Sequence, residues 1–316
     1  MRNRKIAVIG AGFVGATTAY TLMISGVAEE IVLVDVNKDK AEGDAKDMSH
    51  GAAFVSPVEV KAGDYAACDG ADLIIITAGA GQKPGETRLD LLRRNVAIFR
   101  SIFDALRPYL KQTAVVLVVA NPVDLLTYLA CKLSGLPKHQ VLGSGTVLDT
   151  ARLQYYISEH TGVDARDVRA CIVGEHGDSE VAAWSQTSIA GLPLDEYCLQ
   201  CRKCEGSVRA CKQELFVKTR DAAYGIIEKK GATYYAVALA VRRIVEAIFG
   251  NQHSILNVSS LLEGEYGIGD VCLSVPAVVG GKGLEKLLGI AFTDEELAAL
   301  QQSAAILKEQ IASVEI

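Results

Sequence analysis

The sequence has no surplus of positive charge. Its 32 Lys and Arg residues are outnumbered by 38 Asp and Glu, giving a formal net charge of −6. Binding to nucleic acid or to a membrane surface rests on basic patches, so both classes are set aside, while a local cationic pocket for a small anion stays compatible. Long uncharged apolar runs are also missing: no stretch approaches the roughly 18 residues of a membrane span. The opening MRNRKIAVIGAGFVGATTAYTLMISG puts basic residues ahead of an apolar run, as a targeting segment does. Glycines at fixed spacing interrupt that run, however, and it feeds directly into IVLVDV, so it is expected to belong to the fold. There is no internal repeat and no low-complexity linker. A disulfide scaffold is excluded too, because 8 cysteines are spread over 316 residues. The expectation is a soluble cytoplasmic protein with reduced thiols. Half of the residues are hydrophobic and 22% are charged, enough for a sizeable core and, at this length, about two domains.

Up to residue 145, apolar β-type runs alternate with helical patterns. The candidate strands are KIAVIG (5–10), EIVLVDV (30–36), VEVKAG (58–63), LIIITAG (73–79), AVVLVVAN (114–121) and QVLGSG (140–145). They are apolar throughout instead of alternating, as strands covered on both faces are. This predicts an α/β fold: a doubly wound parallel sheet with ligand-binding loops along one edge. From residue 146 the pattern changes. A helix is expected over 148–161, a strand at ACIVG (170–174) and a long polar helical stretch over 195–230. YAVALAVRRIVEAIFG should be a buried helix, the turn-rich 250–283 region should carry short strands, and a C-terminal amphipathic helix should close the chain. The reading is a Rossmann-type dinucleotide-binding domain over 1–145 and an α+β substrate and catalytic domain over 146–316.

The segment GAGFVG (10–15) is G-x-G-x-x-G, set between a predicted strand and a predicted helix, with Asp35 ending the next strand. In that context Gly10 permits a tight turn, Gly12 lets the backbone approach a pyrophosphate, and Gly15 lets the helix pack close to the sheet. The helix N-terminus adds N–H groups and a positive dipole end. Phe13 and Val14 of the loop, with Thr77, Ala78 and Gly79 at the end of the fourth predicted strand and Asn121 at the end of the fifth, complete the cofactor-binding set. Asp35 would accept hydrogen bonds from the adenine ribose. A 2′-phosphate would meet its carboxylate, so NAD is expected over NADP.

Three further segments carry chemistry. GEHGDSE (174–180) holds His176, whose ordinary pKa near 6.5 suits a group that gives and takes a hydroxyl proton. TVLDTARLQ (146–154) stacks Asp149 and Arg152 at i, i+3 on one helix face. Asp149 suits the fixing of the histidine's tautomer, and Arg152 suits a bidentate grip on a carboxylate. AGAGQKPGETRLDLLRRN (78–95) is a glycine-rich loop ending at Arg88, with Gly79, Gly81 and Gly85 as hinges, suited to closing over a substrate and polarising its carbonyl. Asn121, at the end of the fifth strand, lies on the ligand edge. Structural roles for each residue taken singly, such as a core histidine or a helix salt bridge, stay open at this point.

Taken together, GAGFVG, AGAGQKPGETRLDLL, VANPVDLLTY, GSGTVLDTAR, GEHGDSE and KKGATYYA resemble the lactate/malate dehydrogenase family, from residue 5 to about residue 310. The resemblance implies an NAD-dependent enzyme that reversibly reduces a small 2-keto acid, as a homotetramer or dimer. It implies His176 as proton donor and acceptor, Asp149 as its partner, Arg152 as carboxylate clamp, Arg88 as mobile-loop arginine, Asn121 as substrate and nicotinamide contact, and Thr233 as pocket wall. It also makes the residue before KPGE the reader of the substrate side chain. That residue is Gln82. Being neutral, it fits a methyl group, hence pyruvate and L-lactate; an arginine would be expected for malate, because an unpaired second carboxylate in a closed pocket is costly. A malate enzyme and a non-catalytic nicotinamide-binding redox sensor are the alternatives. Bacterial relatives bind fructose 1,6-bisphosphate between subunits through a basic residue and a histidine. Gln154 and Arg169 stand at those positions, which argues against that activation.

One stretch has no place in this chemistry. CLQCRKCEGSVRAC clusters Cys198, Cys201, Cys204 and Cys211. On a continuous helix these thiols fall within about 140° of one side, where they read as packing residues, and such a helix supplies a tetrahedral metal poorly. No metal is expected.

Overall fold

A computed structural model of the chain describes residues 4–81, 85, 87–201, 203–204 and 207–314. All six predicted strands of the first half form. In chain order the elements are β1 (Lys5–Ile9), α1 (Phe13–Ser25), β2 (Glu30–Val34), α2 (Lys38–His50), β3 (Glu59–Ala62), β4 (Leu73–Ile76), α3 (Arg88–Leu106), β5 (Val115–Val118), α4 (Val123–Leu133) and β6 (Val141–Gly143). The strands lie side by side, all parallel, in the order β3-β2-β1-β4-β5-β6. This is the doubly wound order that reverses between β1 and β4 and opens a crevice there. Successive residues of β1 point to opposite faces: Ile6 and Val8 join one apolar cluster, Ala7 and Ile9 another. Both faces are covered over β1, β2, β4, β5 and β6, which is why these strands are largely apolar, whereas β3 at the sheet edge carries Glu59 and Lys61 and buries only Val60.

The second half continues with α5 (Val147–Thr161), β7 (Val168–Arg169), β8 (Ile172–Val173), β9 (Val181–Ala182), β10 (Ser188–Ile189), β11 (Leu192–Pro193), α6 (Leu194–Cys201), α7 (Val208–Lys230), α8 (Tyr235–Phe249), β12 (Ser254–Glu263), β13 (Gly269–Gly280), β14 (Gly283–Leu287) and α9 (Asp294–Ala312). Three features differ from the sequence reading. First, β12, β13 and β14 add antiparallel to the β6 edge, making one nine-stranded sheet. The join covers an edge that would otherwise template aggregation. Gly143 permits it, since a Cβ there would lie 2.3 Å from Thr127 Oγ1 and 2.8 Å from Ser259 Cβ. Second, the expected helical stretch over 195–230 is two helices. Ser207 caps the second, accepting a hydrogen bond from the Ala210 amide at 3.1 Å. Third, α8 is buried on one face only, with Tyr235 and Leu239 exposed.

Helix starts follow side-chain capping where the sequence supplies it. Thr87 and Asp90 form a reciprocal capping box that starts α3 at Arg88, and Thr293 and Glu296 do the same for α9. Among the described residues, no helix is long and apolar enough to cross a membrane.

Candidate active site

The glycine segment forms the turn between β1 and α1. Gly10 has φ +104°, and a Cβ there would lie 2.6 Å from the Ala78 amide nitrogen. A Cβ on Gly15 would stand 1.7 Å from the Gly10 carbonyl oxygen, so only glycine lets α1 sit this close to the turn. Gly12 is different: nothing lies within 4 Å of its Cβ direction, and no side chain caps the helix that follows. The turn therefore offers open space beside a helix N-terminus, which fits the pyrophosphate of a dinucleotide. Thr77 fastens the turn to the β4 end by donating to the Gly10 carbonyl at 2.8 Å, and the Ala78 amide donates to Ile9. Asp35, just past β2, accepts from the Ala11 amide at 2.5 Å and from the Asn37 amide at 2.8 Å. Lys40, which sequence reading passed over, donates to the Ala11 carbonyl at 2.5 Å and pairs with Asp44. Phe13 is exposed and stacks on Tyr234, with ring centroids 5.3 Å apart; Val14 is half-buried against the core.

The loops after β4 and β5 are joined by a residue the motifs did not single out. Asn95 on α3 is fully buried; its Oδ1 accepts from the Ala80 amide at 2.7 Å and its Nδ2 donates to the Asn121 carbonyl at 3.1 Å. Gly79 lies against Ala120 and Asn95, and the Asn121 side chain is exposed at the sheet edge.

His176, Asp149 and Arg152 are brought together from separate elements. Two contacts of one strand set their positions. Ser274 on β13 exchanges backbone hydrogen bonds with Gly174, at 2.8 and 2.9 Å, and its hydroxyl accepts from the Thr146 amide at 3.0 Å, just before α5. The Asp149 carboxylate then bridges: Oδ2 lies 2.5 Å from His176 Nδ1, and Oδ1 accepts from Arg152 Nη1 at 2.7 Å. The His176 amide donates to Asp124 Oδ2 at 2.7 Å.

Electrostatics follow from this enclosure. Burial pulls the His176 pKa down, but the Asp149 carboxylate outweighs it, and Asp124 and Glu180 add to the push, so the imidazole rises from 6.5 to about 9. Burial raises Asp149, yet the His176 and Arg152 cations more than offset it and hold the carboxyl below its ordinary value. Glu180 moves the other way: burial, then the Asp149 charge, push it up to about 8. Asp124 rises to about 6, chiefly through burial. Neither Glu180 nor Asp124 was recognised from sequence. Glu180 sits in GEHGDSE, but only tertiary packing reveals that it is buried beside an aspartate.

The remaining predicted residues are placed as follows. Arg88 is the first residue of α3; its side chain, like Gln82, lies outside the described residues. Thr233 is half-buried in the connection between α7 and α8. Gln154 donates to the Val168 carbonyl at 2.8 Å, so it lies next to exposed Arg169.

An open glycine turn at the crevice of a doubly wound sheet, with a carboxylate-held imidazolium in the adjoining half, defines the class of nicotinamide-dependent dehydrogenases. Residues 4–143 match the lactate/malate dehydrogenase NAD binding domain, and residues 146–315 match the lactate/malate dehydrogenase alpha/beta C-terminal domain. The chain belongs to the lactate/malate dehydrogenase family, and NAD is its cofactor. It is 57% identical over 313 residues to an L-lactate dehydrogenase of Acetivibrio thermocellus, covering 99% of this chain and 98% of the relative. With an L-lactate dehydrogenase of Thermoanaerobacter sp. it shares 58% identity over 313 residues, covering 99% of each. Among solved structures, the ligands-bound form of the minor L-lactate dehydrogenase from Enterococcus mundtii superposes with a TM-score of 0.95 at 42% identity, covering 99% of each chain.

Proposed function

We propose that this enzyme interconverts pyruvate and L-lactate, with residues 1–145 as its dinucleotide-binding unit and residues 146–316 as its substrate unit. The observation that carries the reading is the Asp149 bridge, which holds a histidine and an arginine 2.5 and 2.7 Å from one carboxylate. NADH, when bound, supplies the hydride for the keto carbon. His176, protonated at neutral pH because Asp149 raises its pKa to about 9, gives its proton to the keto oxygen. Arg152 spends one terminal nitrogen on Asp149 and has further donors to grip the substrate carboxylate. Arg88 closes over the keto oxygen, Asn121 hydrogen-bonds the reacting group, and Gln82 and Thr233 face the substrate methyl. Burial raises the Glu180 pKa to about 8, so it opposes an incoming anion less than an ordinary carboxylate would. A reaction that consumes NADH and pyruvate suits fermentation after glycolysis, in the cytoplasm. Assembly as a dimer or tetramer is supported by exposed apolar side chains, Tyr20 and Ile24 on α1 and Leu239 on α8, on two helices that pack together.

Two measurements test the substrate and its regulation. NADH oxidation is expected to be fastest with pyruvate among pyruvate, oxaloacetate and 2-ketobutyrate. Gln82→Arg should move preference toward oxaloacetate by roughly 10²-fold or more in the ratio of kcat/KM, because a second carboxylate gains a partner; an unchanged ratio removes Gln82 from the pocket. Pyruvate saturation curves are expected to coincide with and without fructose 1,6-bisphosphate, since Gln154 is neutral and already bonded to Val168. A clear fall in KM on adding the effector overturns that expectation.

A further inference from the structure

The cysteine cluster acquires a partner that its spacing does not reveal. Because the chain breaks between α6 and α7, the four cysteines do not share one helix face. Cys198 on α6 is buried in the apolar cluster around Leu153 and Ile157 and acts as a packing thiol. Cys201's side chain lies outside the described residues. Cys204, in the connection, and Cys211, in the first turn of α7, both turn to His160 in the last turn of α5. Cys204 Sγ is 3.5 Å and Cys211 Sγ 3.4 Å from His160 Nε2. All three ligand atoms lie within 4.8 Å of one another, and all three residues are half-buried.

These separations suit a particular ion. With Zn–S near 2.3 Å and Zn–N near 2.0–2.1 Å, a tetrahedral site has S···N edges of about 3.6 Å and S···S edges of about 3.8 Å. The two S···N distances are close to such edges, and the two sulfurs lie within 4.8 Å of each other. The donor set, one imidazole and two thiols, is borderline-soft, which favours zinc over calcium or magnesium. Two thiolates also neutralise a divalent charge, so a half-buried ion would carry no net charge. We propose that His160, Cys204 and Cys211 bind one zinc ion.

The ion's role is structural. His160 lies eight residues beyond Arg152 on the same helix, roughly 12 Å along its axis at 1.5 Å per residue. It clips the end of α5 to the start of α7, two helices that pack directly on each other. Binding takes one proton from each thiol and opens no bond in the substrate. Zinc therefore stabilises the helix that carries Asp149 and Arg152 and leaves the hydride chemistry alone.

The test uses untagged full-length protein, reduced and stripped with a chelator. Zinc is titrated against a chromogenic competitor, and cobalt is substituted for spectroscopy. One zinc per subunit is expected, with thiolate-to-cobalt charge transfer in the near ultraviolet and tetrahedral d–d bands. Zinc should raise the Tm of the stripped protein. His160→Gln, and separately the Cys204→Ser/Cys211→Ser pair, should each lose more than the roughly 100-fold in affinity that an outer-shell change can cost, with kcat for pyruvate unchanged. Two variants on different elements guard against a folding defect in either. The proposal is overturned if the cysteine pair binds zinc as tightly as the parent, or if cobalt produces no thiolate absorption.

Discussion

His176→Asn is expected to lower kcat/KM for pyruvate reduction by 10²–10⁴-fold or more, the usual worth of a positioned general acid. Asparagine keeps much of the shape and still reaches the Asp149 carboxylate, but it has no proton to give. NADH affinity should be unchanged, because the nucleotide turn is fastened by Thr77, Asp35 and Lys40, none of which touches His176. Stopped-flow measurement of pyruvate reduction together with NADH fluorescence titration separates the two effects. Near-parental turnover would remove His176 from the proton path.

Asp149→Asn is expected to cost on the order of 10³–10⁴-fold in kcat/KM, comparable to replacing the carboxylate that orients a catalytic histidine elsewhere. It also changes the pH profile, which a merely structural role would not. The carboxylate overcomes burial to raise His176 to about 9. With a neutral amide in its place, the largest upward push is gone while burial and the smaller pushes of Asp124 and Glu180 remain, so the imidazole should titrate well below 9. In the parent, kcat/KM for pyruvate is expected to hold up to about pH 9 and then fall, because protonated histidine is the active form. Lactate oxidation, which needs the neutral form, should rise through the same range. In the variant both transitions move to acid. Stability follows the same signs. The raised His176 pKa gives a contribution fully present below about 6.5 and lost as pH rises through about 9. The lowered Asp149 pKa gives one present above its ordinary 3.8 and lost as pH falls through the lowered value. Denaturant midpoints should therefore differ most between parent and variant from about pH 4 to pH 6.5, and the gap should narrow toward pH 9. A variant whose pH profile overlays the parent's would sink the pairing.

The legible parts of this fold are those encoded over short distances. Strands β1, β2, β4, β5 and β6 announce themselves because burial on both faces demands apolar runs such as LIIITAG; the edge strand β3 shows only the alternation of VEVKAG. The glycine turn is legible because Gly10 and Gly15 answer to local sterics, and Asp149 with Arg152 because i, i+3 spacing is a helix property. What stayed hidden depends on contacts across the chain. Glu180 and Asp124 are ordinary carboxylates until packing buries one near Asp149 and the other against the His176 amide. Asn95 is one polar residue on an amphipathic helix until two loops close over it. The attachment of β12 to β6 needs Gly143 and Ser259, which are 116 positions apart in the sequence, to meet. The surroundings of the cysteine stretch were hidden for the same reason: a second helix starts after Ser207, and His160 arrives from another helix.

The double grip of Ser274 has a mechanical consequence. Its strand belongs to the sheet whose other end forms the nucleotide turn, so the proton group and the cofactor bed are measured from one common datum. Alignment of the two does not await domain closure. One strand register thus sets the gap between the two jaws, much as a single frame sets the jaws of a vice.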